Sequence, residues 1–450
     1  MSVQGRTSSS ADAEPKRRGP AKVLAATIAT QSIEFYDFMI YGMAASLVFN
    51  KQFFPAINPV AGVLASFATF AVGFAARPLG AVVFGHIGDK YGRKPALLGS
   101  AVAMAVSTTL IGLLPTYSMI GAAAALLLVI FRIGQGIAVG GVWGGATLLA
   151  IENAPAKRRG LFAAIPQIGT FVGLIAGIGV FMVITKVVPP EQFLGWAWRL
   201  PFLLTVVMFP VIFYVHRYIE DSPEFHEVEK TMAARSEERA RDSSVIQVLR
   251  RPKYMLTVAF IFIPATVVFY MSSTGMIDYG VRDLGIAKPT MLAAVMLSVV
   301  GAAVSTIVFG WLSDIVGRRP VYMGGVIVAG IWSFAMFPLM DTKDFGLIVL
   351  ALGIAQVALG AMFGPGITLF AEMFPPKIRY SGASMGYQLA NILGGGLAPF
   401  IMVLLLESTH TTASASAYVA VVCAISLIPL SLAGRLQAQS REREPVEQAG

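Results

Sequence analysis

Charged side chains stand at four positions inside long apolar stretches of the N-terminal half: Glu34, Asp37, Arg77 and Arg132. A charge at the centre of a bilayer costs about 2.5–3.5 kcal/mol on insertion scales, so such residues usually mark a functional site. Glu34 and Asp37 are three residues apart, which places both carboxyls on one face of a helix. Burial disfavours a carboxylate anion, and a neighbouring like charge disfavours it further. The pair is suited to bind and release protons in symport; the alternative is that it only pairs with basic residues to hold helices together.

Two arginines in the same half are suited to bind anions. The planar guanidinium of Arg132, in the fourth apolar stretch, can bind a carboxylate through two parallel hydrogen bonds. It is predicted to hold a substrate anion or to alternate between Asp37 and substrate; a permanent ion pair with Asp37 is the alternative. Arg77 either joins this site or extends to the interface, as cationic side chains near helix ends can. Asp278, at the end of the seventh stretch, is predicted to be a solvated helix cap.

Uncharged polar residues extend the candidate binding site. The predicted substrate-binding residues of this kind are Tyr36, Gln135, Gln167, Gln388 and Asn391. Gln135 follows Arg132 by about one helical turn, and Gln167 and Gln388 occupy near-equivalent places in the two halves of the chain. The alternative for each is structural, because polar side chains also join membrane helices at about 0.6 kcal/mol apiece.

The elements that position these residues follow from composition. Of the 450 residues, 56% are hydrophobic and 13% are charged, whereas globular proteins carry about 25% charged residues. The charges concentrate in 1–22, 217–253 and 435–450. Apolar stretches long enough for a spanning helix of about 20 residues lie near 24–48, 60–84, 95–114, 119–150, 160–184, 197–216, 254–278, 290–312, 320–340, 346–371, 381–405 and 415–434. The sequence therefore predicts an all-α integral membrane protein with twelve transmembrane helices.

Several other classes are excluded by the same counts. The net charge of +9 is what a membrane protein acquires from Lys and Arg in its cytoplasmic loops, so no nucleic-acid partner is predicted. Cys423 is the single cysteine, which excludes a disulfide framework within the chain and a cysteine-based metal site. No metal or cofactor is predicted. A membrane enzyme such as an acyltransferase would need a catalytic His or Cys at a membrane face, and the sequence contains no such constellation, so no enzyme is predicted.

An internal repeat divides the chain into halves. Gly85-x-x-x-Asp89-x-x-Gly92-Arg93-Lys94 recurs as Gly310-x-x-x-Asp314-x-x-Gly317-Arg318-Arg319, 225 residues later. Glu152-x-x-Pro155-x-Lys157-x-Arg159 recurs as Glu372-x-x-Pro375-x-Lys377-x-Arg379, 220 residues later. Two independent matches at nearly the same offset indicate six helices duplicated in the same orientation, about a pseudo-two-fold axis along the membrane normal.

The repeat and the charges predict the domain organisation. It comprises a tail (1–22), a six-helix bundle (23–216), a linker containing a helix (217–253), a second bundle (254–434) and a second tail (435–450). The short connections on the side of the N-terminal tail hold ten Lys or Arg residues, against five on the other side. By the positive-inside rule both termini are then cytoplasmic.

Glycines recur every fourth residue in the fifth apolar stretch, at Gly169, Gly173 and Gly177. Such spacing makes a smooth face on which another helix can pack closely. The face serves either static packing or a sliding motion between the halves.

Several motifs resemble a known family. The Gly85 to Lys94 segment looks like the loop 2–3 signature of the major facilitator superfamily. The segments that resemble its metabolite–proton symporters, which include shikimate, α-ketoglutarate, citrate and proline/betaine permeases, are Ile33-Glu34-Phe35-Tyr36-Asp37-Phe38, Arg77-Pro78-Leu79-Gly80, Arg132-Ile-Gly-Gln135-Gly136, Trp143-Gly-Gly-Ala and Arg379-Tyr-Ser-Gly-Ala-Ser-Met-Gly-Tyr387-Gln388. The similarity runs from about residue 24 to 434, and the shikimate-permease branch looks most similar. One residue departs from the pattern, because the family commonly has Glu where this chain has Val142.

The resemblance implies a function and a gate. It implies a secondary transporter of a bacterial inner membrane that takes up a small anionic or zwitterionic metabolite together with protons, by rocking of the two halves, and we expect a monomer. It also implies that a cytoplasmic gate is formed, through salt bridges between helices and contacts at helix ends, by Asp89, Arg93, Glu152, Asp314, Arg318 and Glu372. An uncoupled facilitator, an exporter and a non-transporting nutrient sensor are alternatives; neither the substrate nor the proton stoichiometry follows from the sequence.

Overall fold

The computed structural model describes residues 20–91, 93–140, 158–207, 210, 252–373 and 379–447. Within these residues the chain is helical, without strands. Nine of the described helices are long and apolar enough to cross a membrane, and two shorter apolar helices, Gly99–Leu113 and Ala197–Val207, coincide with the third and sixth predicted passes. The predicted all-α membrane fold is confirmed.

We number the helical passes spans 1 to 12 in chain order. In the N-terminal half they comprise span 1 (Pro20–Ala44, π-helical Ala45–Phe49 and Asn50–Gln52), span 2 (Pro59–Ala75 and Arg77–Tyr91), span 3 (Arg93–Leu113), span 4 (Ala123–Gly140), span 5 (Arg159–Ala164 and Ile168–Val187) and span 6 (Ala197–Arg199, Leu200–Leu203 and Leu204–Val207). In the C-terminal half they comprise span 7 (Pro252–Tyr270, π-helical Met271–Gly275 and Met276–Arg282), span 8 (Lys288–Val316), span 9 (Arg318–Asp341), span 10 (Phe345–Glu372), span 11 (Arg379–Ala390, π-helical Asn391–Gly396 and Ala398–Thr409) and span 12 (Thr412–Glu447).

The observed helices extend several predictions. Span 12 continues as helix to Glu447, into the segment predicted as a tail. The linker predicted for 217–253 lies outside the described residues except for its last two. Spans 1, 7 and 11 each contain a π-helical turn, which hydropathy does not reveal and which is frequent at functional sites.

The glycine face of span 5 packs against span 1. A methyl group at Gly173 would lie 2.3 Å from the carbonyl oxygen of Ser32, and one at Gly169 would lie 2.5 Å from that of Ile28. Both contacts are within the N-terminal half. The glycine spacing therefore serves close packing inside one bundle, and the sliding alternative is not supported. This packing sets the rotation of span 1, on which both buried carboxyls stand.

Gly173→Ala is expected to lower the thermal stability of the protein, although alanine favours helices over glycine by about 1 kcal/mol. The new methyl group meets a backbone oxygen that cannot move independently, and overpacking typically costs about 1–3 kcal/mol. Gly179→Ala is the matched control, because a methyl group at Gly179 would have no atom of the described residues within 4 Å beyond its own helix and chain neighbours. A fluorescence-detected melting curve of both variants in detergent measures the difference, and equal melting temperatures would contradict the packing argument.

The halves contact each other at both ends of the bundle. We call the end that carries residues 158–160 and 314–319 the linker end, and the end that carries 51–58 and 282–288 the far end. At the linker end, span 5 packs against span 8 so closely that a methyl group at Gly160 would lie 2.6 Å from the carbonyl oxygen of Gly310. At the far end, the Lys288 ammonium lies 5.0 Å from the centre of the Phe193 ring. The charged residues between these contacts are enclosed.

Candidate functional site

Asp37 is fully buried in span 1 and its carboxylate has two side-chain donors. The Thr108 hydroxyl of span 3 donates to Oδ1, and the Gln135 amide of span 4 donates to Oδ2. Hydrogen bonds to a charged group are worth about 1.5–3 kcal/mol each. The carboxylate is therefore held by donors from two neighbouring helices of the same half, neither of which carries a charge.

Arg132 reaches Asp37 through Gln135. The Nη1 of Arg132 donates to the Gln135 amide oxygen, and the amide nitrogen of the same side chain donates to Asp37. The two charges fix the amide orientation, since its oxygen faces the cation and its nitrogen faces the anion. A direct ion pair between Arg132 and Asp37, one alternative raised by the sequence, does not occur between these described side chains.

Aromatic rings hold the Arg132 guanidinium in place. Its carbon lies 3.9 Å from the centre of the Tyr41 ring and 5.0 Å from that of Phe70, distances at which a cation is attracted to a ring face. Arg132 is fully buried, yet its Nε and Nη2 groups have no hydrogen-bond acceptor among the described residues. Those two groups form one edge of the guanidinium plane, and such an edge matches the two oxygens of a carboxylate.

A glycine makes room for this arginine. A methyl group at Gly73 of span 2 would lie 2.4 Å from Arg132 Nε, and one at Gly136 would lie 2.1 Å from the carbonyl oxygen of Gly73. Spans 2 and 4 therefore cross in close contact at these glycines. The crossing positions the guanidinium beside the rings of spans 1 and 2.

Arg77 belongs to the buried cluster and does not extend to the interface. Only 2% of its surface is exposed, and its guanidinium carbon lies 4.3 Å from the Phe38 ring centre and 4.5 Å from that of Phe74. Its Nη1 donates to Gln388 Oε1 at 3.3 Å, across the boundary between the halves. Glu34 is 5% exposed and interacts electrostatically with Arg77, but the described residues supply it with no hydrogen bond.

Three other predicted binding residues contact their own half in this structure. The Tyr36 hydroxyl donates to the Pro201 carbonyl of span 6 at 2.7 Å. Gln167 accepts a hydrogen bond of 3.4 Å from Gln31 of span 1. The Asn391 amide donates to the carbonyl oxygen of Tyr387 within span 11 at 2.9 Å. The first two contacts join helices of one half and the third lies within a single helix, whereas Gln135 and Gln388 bind the two buried arginines.

At the predicted gate, the structure brings Asp314 to span 5. Asp314 accepts hydrogen bonds from the backbone N–H groups of Gly160 and Leu161, at 2.8 and 3.0 Å, across the boundary between the halves. Arg318, four residues later, lies 3.5 Å from the same carboxylate. The other predicted gate residues, Asp89, Arg93, Glu152 and Glu372, lie outside the residues whose side chains are described, as does Val142.

Asp278 differs from its prediction, because it is buried rather than solvated. It is 1% exposed and pairs with Arg282, one turn later, at 3.1 Å. Arg282 also binds Asp283 at 3.0 Å and Glu407 at the end of span 11. Arg282 thus links Asp278 to the end of span 11, a tertiary contact that a single hydrophobic stretch could not reveal. Burial raises the pKa of the nearby Asp283 carboxyl, an effect that the Arg282 charge opposes.

Sequence reasoning missed Thr108 and Tyr41. Both are ordinary residues of apolar helices, and Thr108 is one of two adjacent threonines that look alike in the sequence. The four-residue spacing between Met104, whose backbone carbonyl accepts from Thr108, and Thr108 itself carries no signal of its own. A helical projection that placed Thr108 on the side facing spans 1 and 4 would have been needed to find it.

Comparison with known proteins adds an independent line of evidence. The shikimate transporter of Escherichia coli K12 is 38% identical over 376 residues, which cover 83% of this chain and 85% of that protein. The inner membrane metabolite transport protein YhjE of the same strain is 36% identical over 426 residues, which cover 93% of this chain and 95% of that protein. A crystal structure of a D-xylose–proton symporter superposes with a TM-score of 0.72 at 16% identity, over 92% of this chain and 97% of that chain, and shows the shared fold.

The fold and the buried charges thus define a multi-pass membrane transporter of the major facilitator type, with two six-helix bundles. The chain belongs to the Sugar (and other) transporter family, whose model matches residues 22–432. The resemblance to the metabolite–proton symporters is confirmed, and so is the prediction that the protein is not an enzyme.

Proposed function

We propose that this transporter carries out proton-coupled symport of a small organic acid into a bacterial cell, with both termini in the cytoplasm. The observation that carries the proposal is the buried Asp37–Gln135–Arg132 chain, in which one amide joins a carboxyl able to bind a proton to a guanidinium. The Nε–Nη2 edge of that guanidinium has no acceptor among the described residues. The names of the two bacterial relatives, a shikimate transporter and an inner membrane metabolite transport protein, support this substrate class and location.

Charge balance in the buried cluster supports the coupling. With both carboxyls ionised, Glu34 and Asp37 balance Arg77 and Arg132, so the cluster is neutral without substrate. Isolated charges are costly in a medium of low dielectric constant. A monocarboxylate that binds Arg132 adds one negative charge, and one proton on Asp37 restores neutrality. One proton should therefore accompany each monoanionic molecule.

Contacts between the two halves at both ends of the bundle support an alternating-access mechanism. The Asp314 contact with the start of span 5 joins the halves at the linker end, and Lys288 on Phe193 joins them at the far end. Opening either end requires only one of these contacts to break while the other keeps the cluster closed. The gate residues that the sequence repeat predicts at the linker end would then control release of the substrate to the cytoplasm.

Uptake of radiolabelled shikimate into proteoliposomes tests the proposal. We expect accumulation when the outside is made acidic, none when a protonophore is added, and no response to a potential set by valinomycin, because one proton with one monoanion carries no net charge. A response to potential would contradict the one-to-one stoichiometry, since each transported charge gains about 2.3 kcal/mol per 100 mV. Equal uptake with and without the proton gradient would favour the uncoupled facilitator. Glycine betaine in the same assay identifies a preference for zwitterions.

A further inference from the structure

The Thr108 hydroxyl has two acceptors for its single proton. It lies within hydrogen-bond distance of Asp37 Oδ1 and, at 2.9 Å, of the Met104 carbonyl oxygen one turn earlier in span 3. Its oxygen also accepts a hydrogen bond of 2.8 Å from the Gln135 amide. All three polar side chains, Asp37, Thr108 and Gln135, are fully buried. No water is needed to satisfy the hydroxyl in either orientation.

The two orientations match the two protonation states of Asp37. When Asp37 is ionised, the Thr108 proton points to Oδ1 and stabilises the anion. When Oδ1 carries a proton, that proton can be donated to the Thr108 oxygen, and the Thr108 proton turns to the Met104 carbonyl. Threonine in a helix commonly makes this bond to the carbonyl four residues earlier. Each donor keeps an acceptor in both states, so neither state incurs the cost of an unsatisfied buried group.

We propose that Thr108 is a positioning residue of the proton site, whose hydroxyl changes acceptor from Asp37 to the Met104 carbonyl when Asp37 takes up a proton. The proposal rests on proton binding by Asp37 in the proposed function. The proton arrives from water at whichever end is open, binds the carboxylate at Oδ1 and leaves to water at the other end. Thr108 keeps its own proton throughout and only redirects it.

Among the neighbours of Asp37, Thr108 is the one suited to bind both protonation states of the carboxyl. The titratable and charged groups that interact with Asp37 are Glu34 and Tyr36 on span 1 and Arg132 on span 4, and those that interact with Glu34 are Arg77 on span 2 and Tyr270 on span 7. Of these, Arg132 reaches Asp37 only through the Gln135 amide. Thr108 is therefore the neighbour that can both donate to the carboxylate and accept from the carboxylic acid.

The test measures protonation of Asp37 directly, without a substrate. Infrared spectra of the full-length protein in lipid vesicles are recorded across a pH series, and the C=O stretch of protonated Asp37 is assigned by its loss in Asp37→Asn. Thr108→Val removes the hydroxyl at nearly constant volume. We expect it to move the midpoint of Asp37 protonation upward by about one to two pH units, a 10- to 100-fold gain in proton affinity. The anion loses a charge-assisted donor, whereas the acid loses only the weaker bond to a neutral acceptor.

Two variants separate this role from a structural one. Thr108→Ser retains the hydroxyl and should keep the wild-type midpoint. Thr109→Val is the matched control, because Thr109 makes the same bond to the Ala105 carbonyl, at 2.8 Å, but does not contact Asp37. An unchanged midpoint in Thr108→Val, or equal shifts in Thr108→Val and Thr108→Ser, would overturn the proposal. If Thr108→Val does not fold, Thr108→Ala is measured by the same criterion. If the wild type shows no Asp37 band that titrates with pH, proton binding at Asp37 itself is rejected. If Thr108→Val shifts the midpoint of that band but the wild type takes up no organic acid, only the proposed substrate is rejected.

Discussion

Arg132→Ala is expected to weaken binding of an organic acid by at least about 100-fold. A carboxylate on the Nε–Nη2 edge would make two charge-assisted hydrogen bonds, each worth about 1.5–3 kcal/mol, and the substitution removes both. Arg132→Lys keeps the charge but loses the planar fork, so it should restore only part of the affinity. Titration calorimetry with shikimate, or with the strongest ligand from a thermal-shift screen of organic acids and betaines, measures the effect.

A second stacked arginine supplies the control for this experiment. The Arg199 guanidinium carbon lies 4.5 Å from the Trp198 ring centre, and its Nη2 donates to the Leu114 carbonyl at 2.8 Å. Arg199→Ala also removes a stacked guanidinium and its stem, away from the buried cluster, and should leave the affinity within about threefold, which is about 0.7 kcal/mol. Wild-type affinity in Arg132→Ala would reject the anion clamp and leave Arg132 as a structural residue.

The membrane class, the twelve passes and the duplicated halves could be predicted because they depend on composition and on repeated letters. Burial of charge in a bilayer is so costly that four charged residues in apolar stretches, Glu34, Asp37, Arg77 and Arg132, already indicated a site. The structure places all four in one buried cluster. The functional importance of these positions could be predicted from the sequence, because the lipid bilayer strongly disfavours charged residues that have no function.

The partners of those charges could not be predicted. Whether Arg132 meets Asp37 directly or through Gln135 depends on helix rotation to within part of a turn. That rotation is set by close contacts between residues far apart in the chain. Examples are the contact of Gly73 with the Arg132 side chain and that of Gly173 with the Ser32 backbone. Spacing showed that glycines pack, but not against which helix. For the same reason Thr108 and Thr109 could not be distinguished, although only Thr108 faces Asp37.

The linker end illustrates the same limit. The duplicated Asp89 and Asp314 predicted a gate, and salt bridges between helices were one expected form of it. In the structure, Asp314 instead accepts from two backbone N–H groups at the start of span 5, and its ion pair with Arg318 is local to the turn between spans 8 and 9. Backbone donors at a helix start are available whatever the side chains there are. The sequence of span 5 therefore gave no indication that this helix binds Asp314.

Asp37→Asn is expected to abolish accumulation driven by a proton gradient while preserving exchange of substrate across the membrane. Asparagine has nearly the shape of protonated aspartic acid. Its amide can donate to Thr108, whose proton then turns to the Met104 carbonyl, and its oxygen can accept from Gln135. The variant would hold the cluster permanently in the arrangement of the protonated state, so substrate can bind and cross but no proton is carried with it.

Two assays on the same proteoliposomes measure both halves of this expectation. A gradient of about one pH unit should drive about tenfold accumulation in the wild type at one proton per molecule, and none in Asp37→Asn. Counterflow, in which unlabelled substrate inside exchanges for labelled substrate outside, needs no net proton movement and should persist. Glu34→Gln is the control, since Thr108 and Gln135 donate to Asp37 whereas Glu34 has no donor within the described part of the chain and interacts with Arg77. If Glu34→Gln lost accumulation and Asp37→Asn kept it, Glu34 would be the residue that carries the proton. If both variants lost counterflow as well, the carboxyls would be structural. A coupling residue is needed for the gradient to drive accumulation but not for substrate to cross the membrane.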